Sequence, residues 1–214
     1  MSANIPAAGK KFDILLYGAT GFTGKLVAAY LDKAMELSGP GKSWAIAGRS
    51  EDKLRTIGDA LTTCPPDIVP FDLADKDAVE KMVASSRVVI NCAGPYSTQN
   101  GEALLGACAK QGKHYSDLCG ETFWQHEMVE AYHDIAAKSG AKIVLGGGVD
   151  SIPSDLGTFL ALKQLKGRKE GEEVRVTGVY TEYTGSISGG TLASGRAIRA
   201  AQKAGRISKE RARD

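Results

Sequence analysis

The chain has 214 residues, 43% of them apolar, with 27 Lys and Arg set against 25 Asp and Glu for a net charge of +2. That length suits one α/β domain plus an added piece, at about 100–200 residues per domain, and the charge balance gives no special pull toward nucleic acid or acidic lipid. The cysteines, Cys64, Cys92, Cys108 and Cys119, form no CxxC pair and the opening "MSANIPAAGKK" is polar, so reduced thiols, no metal site, no leader, no transmembrane segment and a cytoplasmic address are expected.

Strand-length apolar runs alternate with helical windows along the first two thirds. Residues 13–17 read as a strand and 22–37 as a helix, which "SGPGK" stops because helices avoid that glycine and proline content. Residues 44–47 are a second strand, "EDKLRTIGDAL" a helix and 67–71 a third strand. "DKDAVEKMVASS" has helical spacing and leads to a strand at 88–91. A helix at 102–111, a strand at 114–118, a helix at 124–139 and a strand at 142–145 follow.

Steady strand–helix alternation specifies parallel strands joined by helical crossovers, hence an α/β, doubly wound, mostly parallel sheet of the Rossmann type. "DILLY", "RVVIN" and "KIVLG" are apolar on both faces, as interior parallel strands must be. After Pro153 the pattern changes: a helix at 154–165 with Ser154 as N-cap, a charged loop "KGRKEGEE", an alternating strand at 174–183 and a basic helix at 191–204. One strand and two helices are too little to close a core. The expected organisation is a dinucleotide-binding domain over 1–152, then the opening of an incomplete α+β domain over 153–214. That second segment is expected to be loosely held.

Between the first strand and the first helix lies "GATGFTG", residues 18–24. In that context G-x-x-G-x-x-G points to a dinucleotide. Gly18 permits the tight turn, Gly21 opens the backbone to a pyrophosphate and Gly24 lets the helix pack closely. Ala19, Phe22 and the hydroxyls of Thr20 and Thr23 lie in the same cradle, with the helix N-terminus facing the phosphates. After the second strand an NAD site would carry a carboxylate for the ribose hydroxyl. Here Arg49 and Ser50 stand there, and a guanidinium suits a 2′-phosphate, which favours NADP(H). Asp72, after the third strand, either accepts from the adenine amine or caps the next helix. Ala93, Gly94, Pro95 and Tyr96, after the fourth strand, form a small-residue turn at the nicotinamide side.

These blocks, "YGATGFTGKLVAAYL", "AIAGRS", "VINCAGPY", "HYSDLCGE", "GGGVDSIPSDLG" and "SGGTLASGR", together resemble the saccharopine-dehydrogenase-like oxidoreductases. The similarity is greatest to the branch with the trans-acting enoyl reductases. The resemblance implies an NADPH-dependent reductase with a Rossmann-type domain and a mostly β substrate and dimerisation domain. It implies a small-molecule or lipid substrate in lipid or glycolipid metabolism, a homodimer where the second domain is complete, and lipid-droplet or mitochondrial association in eukaryotic relatives. Members of that family run to nearly twice this length, so the chain is expected to lack the catalytic half. The alternative is a non-catalytic NADP-binding module.

Other constellations carry less. None of the seven tyrosines has a Lys four residues on, which disfavours short-chain-dehydrogenase proton donation. His126, Glu130 and His133 share a helix face that is expected to be solvated. "GGGVDSIPSD" has two readings, one in which Asp150 or Ser151 touches substrate and one in which it is a glycine turn and helix cap alone. Cys119 is expected to pack, not to react, and no residue is assigned a catalytic role. The basic tail lacks the aromatic interleaving of a nucleic-acid binder.

Overall fold

Residues 11–39, 41–165, 167, 171–182 and 184–207 are described by a computed structural model. The elements run β1 (Phe12–Tyr17), α1 (Phe22–Leu37), β2 (Trp44–Gly48), α2 (Glu51–Gly58), β3 (Asp67–Pro70), α3 (Lys76–Ala84) and β4 (Ser86–Asn91). They continue α4 (Gly101–Gln111), β5 (His114–Asp117), α5 (Thr122–Ser139), β6 (Ile143–Val144), α6 (Ile152–Gln164) and α7 (Gly189–Lys203). The six strands form one parallel sheet in the order β3-β2-β1-β4-β5-β6. This is the expected doubly wound arrangement, with the reversal of direction between β1 and β4.

The period-two alternation of strand side chains divides the core. Leu16 and Ile46 face α1 and α2, where they pack with Ala28, Leu31, Met35 and Leu54. Leu15, Ala45 and Val89 face the opposite way, toward Val79, Met82, Leu104, Leu105 and Trp124. Leu15 and Leu16 are completely buried, and each such burial stabilises by roughly 1.5–3 kcal/mol. The buried Asp32 on α1 accepts from the amides of Thr63 (3.3 Å) and Cys64 (2.8 Å), tying the loop before β3 to this layer.

The region after β6 departs from expectation in three ways. α6 begins at Ile152 with Ser151 at the N-cap and Pro153 in its first turn; proline's fixed φ suits that turn, which moves the start ahead of the expected Ser154. The strand expected at 174–183 does not form: residues 174–182 pair with no strand, and Tyr183 lies outside the described residues. Sequence alternation marks two unlike faces, but a strand also needs a partner edge, and neither sheet edge takes this segment. Half of "KGRKEGEE", the first ten residues and the tail at 208–214 also lie outside the described residues.

The third departure concerns the basic helix. α6 buries none of its side chains, in keeping with a loosely held segment. α7, by contrast, is docked: Ala201 and Ile207 are buried in the core cluster, with Ile198 packed against it. Arg206 donates twice to Glu127 on α5, at 2.9 and 2.6 Å, and lies 5.3 Å from the Phe123 ring. The bidentate pair and the ring give this end of the chain a partner that charge counting did not reveal.

Amide hydrogen exchange on the whole chain should therefore divide the region after β6 into two. Amides of α6 are expected to exchange within its local opening, far ahead of those in β1 and β4, while α7 stays protected at an intermediate level. Equal protection of α6 and α7 would contradict the docking described.

Candidate dinucleotide site

β1 and β4 end level with each other, Tyr17 registering with Asn91, and the Cys92 amide donates to the Tyr17 carbonyl at 2.9 Å. Beyond that point the two chains part, leaving the crevice at which ligands of such sheets bind. Gly18 turns there at φ +82°, and a Cβ on it would lie 2.8 Å from the Ala93 nitrogen. Its amide donates to Ala47 of β2 at 2.9 Å, so both neighbouring strands fix the turn.

Gly24, in the first turn of α1, sits under that turn. A Cβ at Gly24 would come within 2.1 Å of the Gly18 carbonyl oxygen, an overlap no side-chain rotation relieves. Gly21 is exposed at the N-cap of α1, where no side chain caps the helix and its first turn holds no acidic residue. The helix thus presents main-chain N–H groups and its positive dipole end at the crevice. Two closed positions beneath an open one make a cradle that a Cβ would fill, and its donors suit a diphosphate.

The other expected contacts divide. Thr20 and Thr23 are half-buried and Phe22 is 71% exposed at the cradle's rim. Ala19 is 0% exposed, packs in the α1 layer, and its amide donates to Ala47 at 3.3 Å, so it supports the cradle from below.

At the end of β2, Arg49 is exposed and Ser50 is the N-cap of α2, with its hydroxyl making no cap bond. The nearby carboxylate of Glu51 is taken by Arg55, with donor distances of 3.1 and 2.6 Å. Asp72 is exposed after β3, and one of its oxygens accepts from the Ala74 amide at 2.9 Å. Asp75, not Asp72, caps α3, by accepting from Ala78 at 3.0 Å. Arg49 and Asp72 both act on Tyr17. Burial pushes that phenol up to about 12, with Asp72 adding to the rise and Arg49 opposing it.

On the β4 side the turn runs through Ala93, the exposed Gly94 and Pro95, with a cis Gly94–Pro95 peptide. Tyr96 closes this turn with its side chain directed inward. It is 3% exposed, its hydroxyl donates to the Asn91 carbonyl at 2.8 Å and its ring lies 5.5 Å from that of Trp124. Only its main chain borders the crevice.

Beneath this turn lies a buried polar layer that sequence reasoning missed. The Asn91 amide donates to the Tyr115 hydroxyl (3.2 Å), which donates to Asp117 (3.0 Å); Asp117 also accepts from the amides of Cys119 (3.1 Å) and Gly146 (2.9 Å). Burial raises the Asp117 carboxyl, and those amide bonds oppose the rise. Burial, then Asp117, pushes the Cys92 thiol up to about 12. Burial also lifts the Cys119 thiol, so neither is a nucleophile near neutrality. The available signal was "HYSDLCGE", with two carboxylates at a strand end where water is scarce. His126, Glu130 and His133 are exposed on α5, and among the described residues no three metal-type ligands group together.

A parallel sheet with its glycine turn at the switch point defines the class: a Rossmann-type dinucleotide-binding domain. Residues 14–144 match the family described as the saccharopine dehydrogenase NADP binding domain, and the chain belongs to that family. Its cofactor is NADP(H). The trans-acting enoyl reductase of Mycobacterium bovis is 39% identical over 191 residues, covering 87% of this chain and 44% of that protein. The trans-acting enoyl reductase of Mycobacterium leprae is 36% identical over 188 residues, again 44% of its length. The chain thus spans less than half of these relatives. In fold it is similar to saccharopine dehydrogenase (L-Glu forming) from Saccharomyces cerevisiae, with a TM-score of 0.57, 17% identity and coverage of 72% of this chain and 31% of that one. Among the described residues no helix is long and apolar enough to cross a membrane.

Two outcomes follow from this geometry. Gly24→Ala should destabilise the fold by about 3 kcal/mol, an overpacking loss against main chain, read as a lowered urea midpoint; an unchanged midpoint would contradict the contact. The Tyr17 phenol is neutral in both states below pH 10, whereas between its ordinary 10.0 and about 12 only the unfolded chain ionises. Stability should therefore fall as pH rises through that window, by about 1.4 kcal/mol per unit from this group. Urea unfolding at pH 9, 10 and 11 checks it.

Proposed function

We propose that the chain is the cofactor-holding part of an NADPH-dependent oxidoreductase, a reductase of lipid-type substrates. The glycine cradle carries this reading, since an exposed Gly21 over the sterically closed Gly18 and Gly24 leaves helix N–H groups open to a diphosphate. Gly18, Thr20, Gly21, Phe22, Thr23 and Gly24 would line the diphosphate, the first and last by shape alone. Arg49 and Ser50 would take the 2′-phosphate, Asp72 the adenine side, and the main chain of Ala93, Gly94, Pro95 and Tyr96 the nicotinamide side. When bound, NADPH supplies a hydride; the protein's part is to fix the ring and keep water from it. The relatives' name, trans-acting enoyl reductase, supports reduction of an activated double bond and the lipid assignment.

The division at about residue 152 fits this role, with 1–152 holding NADP(H) and 153–214 opening the substrate and dimerisation part. A second reading is a non-catalytic NADP-binding module. It is favoured by one observation: beneath the nicotinamide side the Cys92 thiol and the Tyr96 phenol are pushed up by burial, so neither gives up its proton readily near neutrality. Turnover of NADPH with an enone, imine or keto substrate distinguishes a reductase from a module that only binds.

Arg49→Asp tests the cofactor assignment. Loss of hydrogen bonds to a charged group should weaken NADPH binding by about 10–100-fold while NADH changes little. Calorimetric titration of both cofactors measures it; equal losses would remove Arg49 from the 2′-phosphate.

A further inference from the structure

Glu121 is 0% exposed and stands at the N-cap of α5, yet its carboxylate makes no cap bond to its own helix. It reaches back to the turn after β4. One oxygen accepts from the Tyr96 amide at 2.8 Å and from the Ser194 hydroxyl of α7 at 2.9 Å. The other accepts from the Ser97 amide at 3.1 Å and from the Ser97 hydroxyl. Four donors fill the capacity of an ionised carboxylate.

Burying a carboxylate is costly, and an apolar side chain would fill the same space without that penalty. The residue type is therefore explained by what it holds. The turn at 94–97 belongs to no helix or strand, and its neighbour Ala93 abuts Gly18 of the diphosphate cradle. Two consecutive amides drawn to one carboxylate set the course of that turn. Ser194, 73 residues further along, brings α7 to the same oxygen.

We propose that Glu121 is a positioning residue for the nicotinamide half of NADP(H): it fixes the 94–97 turn through two amides and the Ser97 hydroxyl, and through Ser194 it makes α7 part of that half-site. The proposal rests on the reading that the strand-end crevice takes NADP(H). It assigns Glu121 no contact with the cofactor. The adenine half, at Arg49 and Asp72, lies across the sheet and is independent of it.

That independence makes the test. Glu121→Gln keeps the shape but leaves one acceptor oxygen where four donors converge, and its NH2 meets one main-chain N–H whichever way the amide is turned. Calorimetric titration of the full chain should show NADPH binding weakened on the order of tenfold, from unsatisfied buried donors, with 2′,5′-ADP bound as by wild type. The emission of bound NADPH, which reports the nicotinamide environment, should shift toward that of free cofactor. Ser97→Ala and Ser194→Ala, each removing one neutral donor, should show the same selectivity, at about two- to fivefold. If Glu121→Gln does not fold, these two variants decide.

Equal weakening of NADPH and 2′,5′-ADP would show a general structural role and overturn the proposal, as would unaltered NADPH binding in the folded variants. Wild-type protein that binds 2′,5′-ADP and NADPH, beside variants identical to it, would sink the Glu121 assignment alone. Wild type binding neither would sink the cofactor reading with it.

Discussion

The site depends on one steric constraint, the approach of α1 to the turn that precedes it. The Gly24 position comes so near the Gly18 carbonyl that a Cβ would fall 2.1 Å from that oxygen. Because Gly18 is also pressed against Cys92 and Ala93, the helix, the turn and the end of β4 form one rigid contact. The Gly18 turn is itself anchored by the pairing of β1 with β4, the most extensive in the sheet, which spans Phe12 to Tyr17. Rigidity at this point holds main-chain donors in place before a ligand arrives, which spares binding the entropy of ordering them.

The two ends of the crevice are built on different physics. Toward β2 and β3 the groups are exposed and charged, Arg49 and Asp72, and they would act through water and salt. Toward β4 and β5 the charges are sunk: Asp117 and Glu121 are 2% and 0% exposed, and both are spent on main-chain amides. An anionic phosphate is recognised well by an exposed guanidinium, which need not be desolvated in advance. A neutral ring offers little charge to read, so its seat has to be shaped by main chain, and main chain without helix or strand needs anchors of its own. Buried carboxylates accepting pairs of amides are strong anchors.

Much of this was legible in the sequence because it is local. Doubly apolar runs such as "DILLY" and "RVVIN" place strands, and three glycines at fixed spacing place the turn whatever lies around them. Arg49 is found by counting from the end of a strand. What could not be read depends on distant partners. Asp72 and Asp75 are equally good caps by composition, and only the path of the chain gives α3 to Asp75. Tyr96 resembles a crevice residue until its hydroxyl is seen to donate to Asn91. Glu121 resembles an ordinary first-turn acid, because its partners are 24, 25 and 73 residues away. The alternation at 174–182 was misread for the same reason: side-chain period is intrinsic to a segment, whereas a free sheet edge is not.

The uneven seating of the segment after β6 bears on what the cofactor part can do. α6 carries Leu156, Phe159 and Leu160 in the open and has no buried side chain, while α7, further along the chain, is fastened by Arg206, Ala201 and Ser194. A helix that skips its neighbour to dock on α5 is not simply the next layer of the sheet. Its contact with Glu121 reaches the turn after β4, so α7 and that turn share one buried carboxylate oxygen while the apolar surface of α6 stays open.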